Sequence, residues 1–105
     1  MYIEWLKFRV QPELRSQFIQ LDQQIWTTFI AKSPAFVSKE IWLNPDQPNE
    51  VITLIHWSDR EQWKAIPAVD VDRVEQSFRT ALGADGYELI EAQEYQIASS
   101  SRARP

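Results

Sequence analysis

Apolar and polar residues alternate along the first ten positions. Tyr2, Leu6, Phe8 and Val10 fall on one side of an extended chain, and Ile3, Trp5, Lys7 and Arg9 on the other. A period of two predicts a strand over 2–10. Pro12 suits a first helical turn, and from there the period changes. Leu14, Phe18, Leu21, Ile25 and Phe29 recur every three or four residues, which predicts a helix over 12–32. Ile19, Trp26 and Ile30 form a second, narrower line beside that stripe. Ser33-Pro34 ends the helix, because the residue before a proline avoids helical torsions. The β-branched and aromatic runs 36–44 (FVSKEIWLN) and 51–57 (VITLIHW) flank a loop with two prolines and read as a hairpin. Ser58 followed by Glu61 is a capping-box pattern for a short helix through Trp63 to about residue 65, with Pro67 just beyond. Asp70 is placed to cap a further helix carrying Val71, Val74, Phe78 and Leu82 on one line and ending at Gly83. A last strand is expected over 87–97.

The order strand, helix, strand, strand, helix, strand predicts an α+β fold. With right-handed crossovers it becomes a ferredoxin-like βαββαβ antiparallel sheet, strands one and three central and both helices on one face. The other face is expected to need cover as well. The third strand carries Ile52 and Leu54 on one side and Val51, Ile55 and Trp57 on the other, and the second sets Phe36 and Trp42 against Val37, Ile41 and Leu43. A second copy is the simplest cover for such a sheet, so a homodimer is expected with Trp42 and Trp57 at its interface, forming a dimeric α/β barrel. Residues 1–97 are read as a single domain, and 98–105, rich in serine and arginine, as a disordered tail.

Composition narrows the chemistry. The 105 residues hold no cysteine and one histidine, which excludes disulfides, a Cys nucleophile and the usual thiolate or imidazole zinc site within one chain. Fifteen acidic against eleven basic side chains, a net charge of -4, oppose a nucleic-acid partner. No apolar run approaches the ~20 residues of a membrane helix, and a cytoplasmic protein is expected. Two glycines allow no phosphate-binding loop, and no nucleophile elbow is present. No bound metal or cofactor is expected.

His56 is the one side chain that titrates near neutrality unperturbed, so it is a candidate base, against the alternative of a hydrogen-bonded structural histidine. Glu4, in a central strand, is the other candidate base if burial raises its pKa; the alternative is pairing with a neighbouring cation. Five tryptophans are many for this length. Trp26 and Trp63, on helices overhanging the sheet, are expected with Phe18 and Ile66 to wall a pocket for a small apolar or aromatic molecule, where packing alone is the competing reading.

The segment HWSDREQWKAI (56–66) resembles the dimeric α/β-barrel group that includes antibiotic-biosynthesis monooxygenases and small haem-degrading enzymes, and the likeness extends over about residues 2–97. EWLKF (4–8), EIWLNP (40–45) and REQWKAIP (60–67) resemble more narrowly a small cyanobacterial family within that group, a likeness that brings no reaction with it. Where many relatives place a His or Trp at the ninth position after the strand-end Trp, this chain has Ile66. It also lacks the helical His and first-strand Asn that the haem-degrading members use. The expectation is a homodimer binding a small apolar or aromatic molecule. The resemblance implies one alternative, a cofactor-independent monooxygenase; a protein-interaction module is the other.

Overall fold

The computed structural model describes residues 1–83 and 85–104. Strands β1 (Tyr2–Val10), β2 (Phe36–Trp42), β3 (Glu50–Trp57) and β4 (Tyr87–Gln96) form one antiparallel sheet in the order β2-β3-β1-β4, with β1 and β3 central as expected. The first crossover is a continuous helical rod: a 3-10 turn (Pro12–Leu14), α1 (Arg15–Leu21), a π segment (Asp22–Thr27) and α2 (Thr28–Ile30). The second holds α3 (Arg60–Lys64) and α4 (Ala68–Leu82). All of these pack on one face of the sheet, as the βαββαβ order requires.

Two clusters form the core between helices and sheet. Val10, Phe18, Val51, Phe78 and Leu82 fill one end, where the Phe18 ring lies 5.2 Å from both Phe8 and Phe78 and 5.7 Å from Tyr87. Aromatic pairs of this kind add about 0.5–1.5 kcal/mol each beyond the area they bury. Ile30, Ala35, Ile55, Trp57 and Trp63 fill the other end, and Trp26 touches both clusters. The Tyr87 hydroxyl donates to Glu75 Oε1 at 2.5 Å, and burial, reinforced by that carboxylate, pushes the phenol pKa up.

The structure departs from simple periodicity at several places. In β2 an extra residue at Val37 interrupts the pairing with β3, so Phe36, Lys39 and Ile41 all face the helices while Ser38, Glu40 and Trp42 face away. Strict alternation had put Phe36 and Ile41 on opposite faces; a bulge inserts one residue and flips everything after it. In the first helix the π segment adds one residue to a turn, so Ile30, rather than Phe29, becomes the buried position at the helix end. Asp59, not Ser58, caps α3, its carboxylate accepting from Gln62 N at 2.9 Å, while Ser58 Oγ donates to the Ala35 carbonyl at 3.3 Å. The fourth helix starts at Ala68, directly after Pro67, two residues before its expected cap. Asp70 sits in the first turn bonded to Arg73, where a carboxylate also meets the helix dipole favourably. Gly83, at φ 108°, ends α4 as expected.

Trp57 corrects an expectation of another kind. Expected at a dimer interface, it lies opposite Tyr2 and Phe36 on the helix-facing side, 1% exposed. Past β4, Ile97 N still donates to the Met1 carbonyl at 2.9 Å, and residues 98–104 adopt no regular structure. The last residue of the expected tail lies outside the described residues.

Candidate functional site

Sheet register lines up four side chains across the helix-facing surface: Lys39 on β2, Ile55 on β3, Glu4 on β1 and Glu94 on β4. Three of the four are charged, in a layer where apolar residues would be the default. Each end of the row is met by a different part of the helical layer.

At the β2 end the π segment presents Asp22. Its Oδ2 lies 2.6 Å from Lys39 Nζ, and the two side chains are only 5% and 6% exposed. Burial pushes the Asp22 carboxyl above its ordinary value of 3.8, and the attraction of Lys39 opposes that shift. Beside the pair runs a groove of about 380 Å³, open to solvent on one side. Its walls are Ile19, Gln23 and Thr27 from the helical rod, Lys39 and Ile41 from β2, and Leu43 just beyond that strand. Thr27 Oγ1 is buried and has no hydrogen-bond partner among the described residues.

At the other end Glu4 accepts from the Trp57 indole N–H at 3.3 Å. Burial raises its pKa above the ordinary 4.5, an effect that the Trp57 hydrogen bond and Lys64 partly offset. Trp57 in turn stacks on Trp63 of α3, with ring centroids 5.6 Å apart and planes 3° from parallel. The helix is tied to β4 by Lys64 and Arg60, which reach Glu94 at 2.6 and 3.2 Å and hold that exposed carboxylate below its usual range. Glu4 is thus a half-buried carboxylate under a tethered helix.

The residues singled out from sequence are only partly brought together. Trp26, Trp63 and Ile66 meet in one cluster with Trp57, and Phe18 belongs to the other, joined through Trp26; all four pack into the core, and none lines the open groove. His56 lies on the opposite face of the sheet from Glu4, since it follows Ile55 and pairs with Ile3 and Ser38, and its Nε2 is 3.8 Å from Glu40 Oε2. A pocket under the helices therefore cannot use it, because neighbouring strand residues point to opposite sides. Trp42 is on the open face, 45% exposed, with its indole donating to Glu40 at 2.9 Å. Asp22, Thr27 and Lys39 were not anticipated. For Asp22 a signal existed, its place four residues after Phe18 on the apolar stripe; for Lys39 the bulge erased it. Among the described residues no group of three or more His, Cys, Asp or Glu could hold a metal ion, and no helix is long and apolar enough to cross a membrane.

Solved structures share this architecture along almost the whole chain. A monooxygenase from the ActVA-Orf6 gene of Streptomyces coelicolor, solved in complex with nanaomycin D, is similar with a TM-score of 0.73 at 15% identity, over 98% of this chain and 92% of that one. A protein of Deinococcus radiodurans described as a putative antibiotic biosynthesis monooxygenase gives 0.72 at 14% identity, with all of both chains covered. SnoaB, a cofactor-independent oxygenase from Streptomyces nogalater, gives 0.70 at 17% identity over 94% of each chain. At such identities the likeness is one of fold. No curated protein matches the sequence. Residues 1–66, from β1 through the stacked tryptophans to Ile66, match the family model for antibiotic biosynthesis monooxygenases, and the chain belongs to that family.

Proposed function

We propose that two copies of the chain pair through their open sheet faces, and that each holds a small apolar or aromatic molecule in the groove between the π segment and β2. The groove carries the reading. Its volume falls within the ~300–1,000 Å³ of small-molecule sites, and its lining combines apolar Ile19, Ile41 and Leu43 with polar Gln23, Thr27 and Lys39. Pairing is supported by the open face, where Ile3 and Leu54 form an apolar centre and Trp42 and Tyr95 remain 45% and 56% exposed. The setting is the cytoplasm, within the cyanobacterial branch that segments 4–8, 40–45 and 60–67 resemble. Native mass spectrometry of protein purified from its own source tests both parts. A dimer carrying a retained small molecule is expected, with the molecule lost on Ile41→Trp, which fills the groove, and the dimer lost on Trp42→Glu. A monomer at micromolar concentration would refute the pairing.

A second reading, a cofactor-independent monooxygenase, is favoured by Glu4, whose raised pKa suits a base acting near neutrality. The carboxylate would take a proton from an enol such as the anthrone tautomer. The anion then reacts with oxygen, so that the ring methylene becomes a carbonyl and the second oxygen atom leaves as water. The expected base is Glu4 and not His56, which lies on the far face. Oxygen uptake with anthrone should be lost in Glu4→Gln and kept in His56→Ala; the reverse pattern removes Glu4 from the reaction.

A further inference from the structure

We propose that Trp57 and Lys64 are positioning residues for Glu4: the indole N–H holds one carboxylate oxygen, Oε1, leaving Oε2 to take a proton, and the ammonium ties down the helix whose ring holds the indole. The inference rests on the second reading above, Glu4 as the base, and adds the residues that aim it. The 3.3 Å bond from Trp57 is the one hydrogen bond that the Glu4 side chain makes among the described residues. A carboxylate held at one point is directed only as firmly as its donor is held. Two further rings hold this donor. Trp63 lies parallel to Trp57 with centroids 5.6 Å apart, and Phe36 meets it edge-on at 6.1 Å and 81°. Packed this closely and 1% exposed, the indole cannot change rotamer without displacing its neighbours, so its N–H is aimed before any substrate arrives.

The support closes on itself. Lys64, next to Trp63 in α3, sets its ammonium 4.3 Å from the centre of the Trp63 ring and 2.6 Å from Glu94 Oε2, and Glu94 is the direct cross-strand neighbour of Glu4. Charged groups on three neighbouring elements therefore act on Glu4. Lys64 of α3 and Lys39 of β2 favour its anion, and Glu94 of β4 opposes it. Asp22 of the helical rod is paired with Lys39, and Arg60 of α3 with Glu94. Burial keeps the carboxyl protonated to higher pH while Trp57 and Lys64 pull the other way, so these two residues set the pH at which Glu4 is ready to accept a proton.

The test follows oxygen uptake with anthrone against pH on the full chain, together with the Glu4 carboxyl carbon and the tryptophan indole protons by NMR. In the unaltered protein the Trp57 indole N–H signal should move with the Glu4 titration, and the acid limb of the uptake profile should share that midpoint. Trp57→Phe removes the donor and keeps an aromatic ring. It should move the limb to higher pH, lowering uptake along the limb by roughly 3- to 10-fold, and lower the plateau as well. A purely structural loss would lower the plateau and leave the limb in place. Lys64→Gln, at a side chain 42% exposed, spares the core and should move the limb the same way, less so in about 1 M salt, where exposed charges are screened. Lys64→Arg should restore it. Where Trp57→Phe does not fold, the indole signal and Lys64→Gln decide. An indole signal that does not follow Glu4, or a limb unmoved in Lys64→Gln or in folded Trp57→Phe, overturns the positioning and leaves Glu4 as the base if Glu4→Gln has lost uptake. Uptake kept in Glu4→Gln, or absent from the unaltered protein, removes the base reading and this inference with it.

Discussion

Replacing Lys39 by Met keeps most of the side-chain stem but removes the ammonium 2.6 Å from Asp22 Oδ2. Asp22, 5% exposed, then has no cation beside it. Breaking one side of a buried pair costs about 3–5 kcal/mol, because the remaining charge is neither hydrated nor compensated. That is a sizeable part of the ~5–15 kcal/mol that holds a single domain folded. The loss depends on pH, with a sign set by the direction of the Asp22 shift. Burial raises this pKa above 3.8 even with Lys39 in place, so the folded chain holds the proton more tightly than the unfolded chain does. Its contribution is therefore most favourable below the unfolded value and is lost as pH rises through the folded value. Removing Lys39 removes the opposing attraction, so the folded pKa climbs and the window of loss moves to higher pH.

Lys39→Met is thus expected to lie close to the parent near pH 4 and about 3–5 kcal/mol below it at pH 8. Adding Asp22→Asn should flatten the difference between the two pH values. Urea unfolding followed by tryptophan fluorescence at a fixed chain concentration measures this, the concentration being held because association shifts apparent stability. An equal loss at pH 4 and pH 8 would mean that packing and not charge is responsible. No loss at pH 8 would mean that the pair does not form in solution.

Trp63→Ala removes a ring that is 7% exposed and stacked on Trp57, and a cost of about 3–5 kcal/mol is expected as a lower urea midpoint with an unchanged slope. Glu4 is raised above 4.5 by burial, so its contribution is lost as pH rises through its folded pKa. Glu4→Gln retains an acceptor for the Trp57 indole, and its unfolding midpoint should fall less between pH 5 and pH 8 than the parent's.

Much of the architecture was legible because it rests on periodicity. The alternation of Tyr2, Leu6, Phe8 and Val10 is the helix-facing row of β1, and the line Val71, Val74, Phe78 and Leu82 is the buried side of α4. Caps were less legible, since Ser58 and Asp59 offer the same chemistry one residue apart, and it is the carboxylate of Asp59, a residue with extended torsions, that reaches Gln62 N. Packing of Trp26 and Trp63 was open to the sequence as the reading that competed with a pocket, but the partners of Trp57 were not. Whether Trp57 meets α3 or a second copy depends on which side of β3 the helices cover.

The site was hidden by the same rule that made the fold visible. Bulges and π turns each insert one residue, and neither announces itself in a hydrophobic pattern. In β2 the insertion at Val37 moves Lys39 from the open face, where a lysine needs no explanation, to the helix-facing side, where it requires a carboxylate. In the rod the π segment starts at Asp22, the residue that supplies one, and ends at Thr27, whose hydroxyl is left over. Two irregularities on facing elements therefore meet at one ion pair and one groove. A buried lysine–aspartate pair can often be replaced by well-packed apolar residues of similar volume without loss of stability, and sometimes with gain. The presence of Lys39 and Asp22 at the two points where the backbone departs from regular geometry argues that the departure serves to aim them, which supports the proposal that the groove beside them is a binding site.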